Sequence, residues 1–279
     1  VEKKGERPVT ETEAWTQAVR SQLDLGRLLP LGGLHDGTWI TEQAAVPALA
    51  HTAAEVPDVR LESLRIGSAP LQPVSEPAVR PPASALRPGP LTIEAAFTAS
   101  LVRPLPETAD ELRSTLLSAA TERLGLATVT ADMRVTDLRE VPEAGVTSRT
   151  AATAMTRPTP EAAAARNSPP VTGTGSMRGL VRELADVAAG VPGVARLTAV
   201  LGSRPVRVED HDDPPGRHIE VHLAVGSGHH PLKVARAVRE AVAEAATTDT
   251  PGSATVAVLI TETAAWRRTS PVIATSAPQ

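Results

Sequence analysis

The chain has 279 residues, 28 basic against 32 acidic side chains, a formal charge of −4 and no cysteine. Such a length covers one large or two small domains, and the missing thiols exclude disulfides, thiolate metal sites, iron–sulfur clusters and cysteine nucleophiles. With Trp15, Trp39, Trp266 and Phe97 as the only aromatics, stacking platforms for single-stranded nucleic acid are absent, and the negative charge disfavours a phosphate backbone.

Thr10 and Glu13 have capping-box spacing ahead of Trp15, Val19 and Leu23, which predicts an N-terminal helix. A short strand is expected at Thr38–Ile40, then a helix capped by Thr41 with Val46, Leu49, Ala50 and Ala53 on one face. That helix ends at Val56-Pro57-Asp58-Val59, and Leu61–Ile66 reads as the next strand. Residues 69–90 hold seven prolines and read as an extended loop. Leu91, Ile93, Ala95, Phe97, Ala99 and Leu101 alternate with more polar residues, as in a strand with one buried face. Thr108 and Glu111 suggest a second capping box, and Leu112, Leu116, Leu117, Ala120 and Leu124 supply a helical stripe that Gly125 stops. Ala127, Val129, Ala131, Met133 and Val135 alternate in a closing strand.

Residues 139–175 are mostly Ala, Thr, Pro, Ser and Gly, a composition that predicts a disordered linker. Beyond it, Ser176 is expected to cap a helix bearing Leu180, Val181, Leu184, Val187 and Ala188, closing with Gly190 and Val191-Pro192-Gly193-Val194. A hairpin follows, with Val206–Val208 on one arm and Ile219, Val221, Leu223 and Val225 on the other. Pro231 opens a helix with Val234, Ala235, Val238, Ala241 and Val242 inward, and Val256, Val258 and Ile260 form the last strand before a tail at 266–279. Ile93-Glu94 corresponds to Ile219-Glu220, and Leu112-Arg113 to Val238-Arg239, which predicts an internal duplication.

The helix ending in Val-Pro-Gly-Val, the hairpin Val206-Arg-Val-Glu then Ile219-Glu-Val-His-Leu-Ala-Val, and the helix Val234-Ala-Arg-Ala-Val-Arg-Glu-Ala-Val resemble the alkaline shock protein family, the envelope stress response proteins of Gram-positive bacteria. The likeness covers residues 176–262 well and residues 37–138 as a diverged copy. The N-terminal helix with Trp15-Thr-Gln-Ala-Val-Arg20 and the two-copy layout are similar to a group of actinobacterial proteins, and 25 Arg against 3 Lys, in a chain rich in Ala, Pro, Val and Thr, suggests a GC-rich bacterial genome. The resemblance implies an α+β fold of two related β-α-β-β-α-β modules, each with helices on one face of a small mixed sheet. The first spans 1–138 with its proline loop and the second 176–265. The second lacks a convincing first strand before Ser176, because Pro169-Pro170-Val171-Thr172-Gly173 is short and rich in breakers.

The function implied is non-enzymatic: protein–protein contact or self-assembly at the envelope, with no cofactor and no metal, the second module being the main contact. No signal peptide or membrane span is read from the sequence, so the expected place is the cytoplasm, reaching the inner face of the membrane through an envelope-anchored partner. His218, Glu220 and His222 share one face of a strand, and two imidazoles with a carboxylate are a ligand set for zinc or iron, which makes a metal- or small-molecule-binding enzyme the rival reading. The opposite face, Ile219, Val221 and Leu223, is the one to bury, so the histidines are expected on the solvated side. Gly173-Thr-Gly175-Ser-Met-Arg-Gly179 lacks the preceding strand of a dinucleotide turn, and His211-Asp212 sits in an acidic hairpin loop. Trp266-Arg267-Arg268 is a candidate docking anchor.

Overall fold

A threonine hydroxyl starts the first described helix. Thr41 is extended, and its Oγ1 accepts a hydrogen bond from the Ala44 amide at 3.1 Å, satisfying one of the donors a helix N-terminus leaves open. The computed structural model describes residues 26–69, 77–82, 84–139, 175–199, 204–212, 215–247 and 253–264. In chain order these form β1 (Leu28–Leu31), β2 (Thr38–Thr41), α1 (Glu42–Ala53), β3 (Val59–Ser68), β4 (Leu91–Ser100) and α2 (Leu105–Ser118), which continues as a π turn over Ala119–Leu124. Then come β5 (Thr128–Arg139), α3 (Gly175–Gly190), β6 (Val194–Leu197), β7 (Val206–Asp212), β8 (Pro215–Val225), α4 (Pro231–Thr247) and β9 (Ser253–Thr263). The expected helix at Thr10–Leu23, nearly all of the expected linker and the tail with Trp266 lie outside the described residues.

The fold is mixed α+β, with two mixed sheets. The first runs β1-β2-β9-β8, and the far side of β8 pairs antiparallel with β7 over its first half and with β6 near its end. The second is β3-β4-β5, with β4 antiparallel to β3 and parallel to β5. The arrangement differs from two separately closed modules. β2, expected to open the first module, pairs instead with β9, aligning Thr38, Trp39 and Ile40 with Val258, Leu259 and Ile260. The place beside β9 that a first strand of the second module would take is thus filled from the first half of the chain.

Apolar alternation accounts for most of the elements. Ile219, Val221, Leu223 and Val225 of β8 point into the same core as Val234, Val238 and Val242 of α4 and Val256, Val258 and Ile260 of β9. That core is continuous with Leu49, Ile66, Ile93, Phe97, Leu112 and Leu116 from the first half. On its other face the first sheet carries a small separate cluster of Leu28, Trp39, Val79, Ala257 and Leu259, to which the proline-rich segment contributes Val79. Polar contacts join the halves as well. Arg236 of α4 holds Asp36 of the β1–β2 turn through two hydrogen bonds of 2.7 and 2.9 Å, and Arg239 donates to the His35 carbonyl.

Several local expectations change. The Thr108–Glu111 capping box is not formed: α2 starts earlier, after Pro104, the Thr108 hydroxyl donates back to the Pro104 carbonyl, and Glu111 pairs with Arg103 at 2.6 Å. β4 is buried on both faces toward its ends, with Thr92, Thr98 and Ser100 all below a tenth exposed, while Glu94 in its middle is exposed and Leu101 beyond it is 55% exposed. β1 and β6 were not anticipated. The two Val-Pro-x-Val turns adopt one geometry. Asp58 and Gly193 both have left-handed φ, 62° and 95°, and their carbonyls accept from Ser100 and Gly226, at the C-terminal end of β4 and β8, the antiparallel partners of the strands that the turns lead into.

Candidate functional site

β8 places His218, Glu220 and His222 on one face, as their alternate spacing requires. They do not converge on a common point. His222 Nε2 lies 3.0 Å from Glu220 Oε1, whereas His218 Nδ1 lies 3.0 Å from Thr255 Oγ1 on β9. The hydrogen bond to His222 holds the Glu220 carboxyl below its ordinary value against the opposing effect of burial, and burial lowers His218. Nor is this face simply solvated. His222 is only 7% exposed and its Nδ1 has no hydrogen-bond partner among the described residues, while its amide donates to the Pro205 carbonyl and its carbonyl accepts from Thr198. Among the described residues no group of three or more His, Asp or Glu side chains could hold a metal ion. Asp210, beside the His211-Asp212 pair, is tied to Arg217 of β8 at 2.7 Å in an exposed hairpin end.

A small, mostly apolar cavity of about 30 Å³ lies between α1, the π turn and the β8–α4 loop, with Leu49, Leu124 and Val225 in its wall. It has room for about one water molecule. Arg123 beside it already donates to Thr52 Oγ1 at 3.1 Å.

The second sheet offers a different kind of surface. Its outer face is an open depression of about 400 Å³ lined by Arg65, Glu94, Asp132 and Arg134. Its two edges are not equivalent. On β3 the Ile66 amide donates to Glu42 Oε1 at 3.3 Å and the Ile66 carbonyl lies 3.5 Å from Arg27 Nη1, so side chains engage both backbone groups of that edge at Ile66. On β5 one such contact is found, from Arg113 Nε to the Ala131 carbonyl at 3.1 Å, and it stops short of the stretch Asp132–Arg139. Among the described residues no strand pairs with the outer side of β5. Val129 and Leu138 on this strand, with Leu101 and Val102 beside its end, are 55, 45, 55 and 61% exposed. An unpaired strand edge next to exposed apolar side chains is a template for pairing with another chain.

The sequence reading placed the histidines on their strand but missed this edge, whose signal lies in β5 itself: alternating Asp and Arg on one face and an exposed valine. No family model matches the chain, and neither a curated protein nor a solved structure matches it.

Proposed function

We propose that the chain is a non-enzymatic protein of the envelope stress response type, related to the alkaline shock proteins by the residues quoted above, and that it acts through protein–protein contacts. The observation that carries this reading is the uncovered edge of β5, with Val129, Leu138, Leu101 and Val102 exposed around it, while the opposite edge of the same sheet is engaged by Arg27 and Glu42. Contact therefore centres on the first half of the chain. The helix–strand–strand–helix–strand order of 42–139, with antiparallel then parallel pairing, has a counterpart in 175–263, where two strands, β6 and β7, both antiparallel to β8, stand in the place of β3. Together with the matching Val-Pro-x-Val turns it supports an internal duplication in which β2 has moved to complete the second copy.

No helix among the described residues is long and apolar enough to cross a membrane. Attachment to the envelope then runs through an anchored partner rather than through insertion. The test is fractionation of cells expressing the full chain or the L138K variant. Envelope association of the wild type that L138K abolishes, with no binding of the purified chain to bare anionic vesicles, is expected. Tight binding to the vesicles, or equal envelope association of both chains, would overturn the reading.

A further inference from the structure

We infer that β5 is a self-recognition edge and that its partner is the same segment of a second copy of this chain, paired antiparallel about a two-fold axis between Val135 and Thr136. This rests on the protein-contact reading above and names the partner.

The inference starts from register. β5 runs Asp132-Met133-Arg134-Val135-Thr136-Asp137-Leu138-Arg139 over its second half. Asp132 and Arg134 align with Glu94 and Ala96 of β4, and a bulge at Thr136 then shifts the alignment so that Asp137 and Arg139 meet Thr98 and Ser100. Glu94, Ala96, Thr98 and Ser100 alternate along β4 and share its outer face. All four charges of β5 therefore share one face, whereas without the bulge Asp137 and Arg139 would fall on the other. Met133, aligned with Ala95, and Leu138, aligned with Ala99, share the core-side face.

Reversed on itself about the Val135–Thr136 midpoint, the segment sets Asp132 opposite Arg139 and Arg134 opposite Asp137 of the second copy, and Met133 opposite Leu138. Two-fold symmetry doubles each pair, giving four opposite-charge pairs on one face and two apolar pairs on the other. The match is a property of faces as well as of sequence order, since every proposed partner projects from the same side as its mate. None of the four charges makes an ion pair among the described residues, although Asp137 Oδ1 accepts from the Leu138 amide at 2.8 Å.

The position of the edge in the fold points the same way. β5 is to β4 what β9 is to β8, a parallel neighbour reached through a helix. The outer side of β9 is filled by β2, and the outer side of β5 has no strand from the described residues. Arg113 at the Ala131 carbonyl marks where pairing would begin, one residue before Asp132. Joining two copies would make a continuous six-stranded sheet in the order β3-β4-β5-β5-β4-β3.

Charge reversal tests this, with the full chain and sedimentation velocity over a concentration series. The wild type is expected to dimerise, less so as salt rises. R134D and D137R each set like charges opposite one another twice and should weaken the dimer about tenfold or more. Two restorations follow from the register alone: the double variant R134D/D137R should dimerise again, and an equimolar mixture of R134D and D137R should form a heterodimer although neither dimerises by itself. Both positions are exposed, so circular dichroism should not change, and the melting temperature should not move at concentrations where every chain is monomeric. A wild type that stays monomeric throughout, or single variants that dimerise normally, or a mixture that fails to associate, would overturn the inference. Envelope association lost in L138K while the wild type remains monomeric would leave the protein-contact reading standing and remove self-pairing alone.

Discussion

The pairing of β2 with β9 makes a sharp demand on stability. Ile40 is fully buried and aligned with Ile260, so it is a first-half residue lodged in the sheet of the second half. Ile40→Ala deletes three carbons, about 2.4 kcal/mol of lost transfer free energy at about 0.8 kcal/mol each. The residual cavity brings the expected cost to about 2–5 kcal/mol. Against a total of about 5–15 kcal/mol, that is a large fraction. If the described residues unfold as one unit, the loss appears everywhere. The readout is native-state hydrogen exchange at the amides of Val238 and Val242 in α4, which lie in the shared core but belong to the other half of the chain. At 2 kcal/mol or more their globally limited exchange should accelerate about thirtyfold or more. Exchange that accelerates only within residues 26–139, with α4 and β9 as protected as before, would refute the reasoning and restore two independent modules.

Other expectations can be checked by urea unfolding. Gly193→Ala should cost about 2 kcal/mol or more, because a Cβ there would sit 2.6 Å from Val234 Cγ2 at a φ of 95°, whereas Asp58→Gly at the matching turn should fall within about 1 kcal/mol of neutral or gain. Asp36→Ala removes the partner of Arg236, which is itself about half exposed, and should cost no more than about 1 kcal/mol. His222→Ala leaves the half-buried Glu220 without its hydrogen bond and should cost about 1–3 kcal/mol, with His222→Gln costing less. His218 and Glu220 both have lowered values in the folded state, so each binds fewer protons there than in the unfolded chain, and stability should fall with acid. The His218 share begins to be lost as pH drops below about 6.5, its ordinary value, and the Glu220 share only further down, through the carboxylate range. His218→Gln should flatten the slope just below pH 6.5 and leave the lower one; an unchanged slope would count against the burial of His218.

Elements with long, strict periodicity were legible in the sequence. β8, α4 and β9 carry alternating or 3.6-spaced valines and isoleucines bounded by Pro and Gly, and the structure places all three where expected, with β8 starting four residues earlier and β9 extending three residues further at each end. β1 was not legible, because Leu28-Leu29-Pro30-Leu31 is apolar on both faces and has no alternation to detect. β6 is four residues long, too short for a period to show. The capping box at Thr108 had the right residues, but Arg103 captured Glu111 and the helix began a turn earlier. The burial of His222 could not be read from β8 alone, where its alternation with Val221 and Leu223 puts it on the polar face. Hardest of all was the partner of β2. A four-residue strand holds no record of a mate some 220 positions away, and only packing of the whole core selects it.

That choice also explains why one sheet edge is open. A β-α-β-β-α-β unit that kept its own first strand could place it outside its last strand, as β2 lies outside β9. With β2 committed to β9, the equivalent side of β5 has nothing from the described residues to cover it, and the other protections of an edge are unevenly spread. β3 has Arg27 and Glu42, β1 has the Leu86 amide on its Leu28 carbonyl, and the start of β5 has Arg113. Asp132–Arg139 has alternating charge and a bulge. Charge of one sign would repel a second copy, but opposite charges arranged to match on reversal attract it, so this segment discourages unrelated strands while accepting its own. Under the proposed duplication, the pairing of β2 with β9 and the self-complementary charge of β5 are thus two consequences of one arrangement, in which the second sheet is left a strand short.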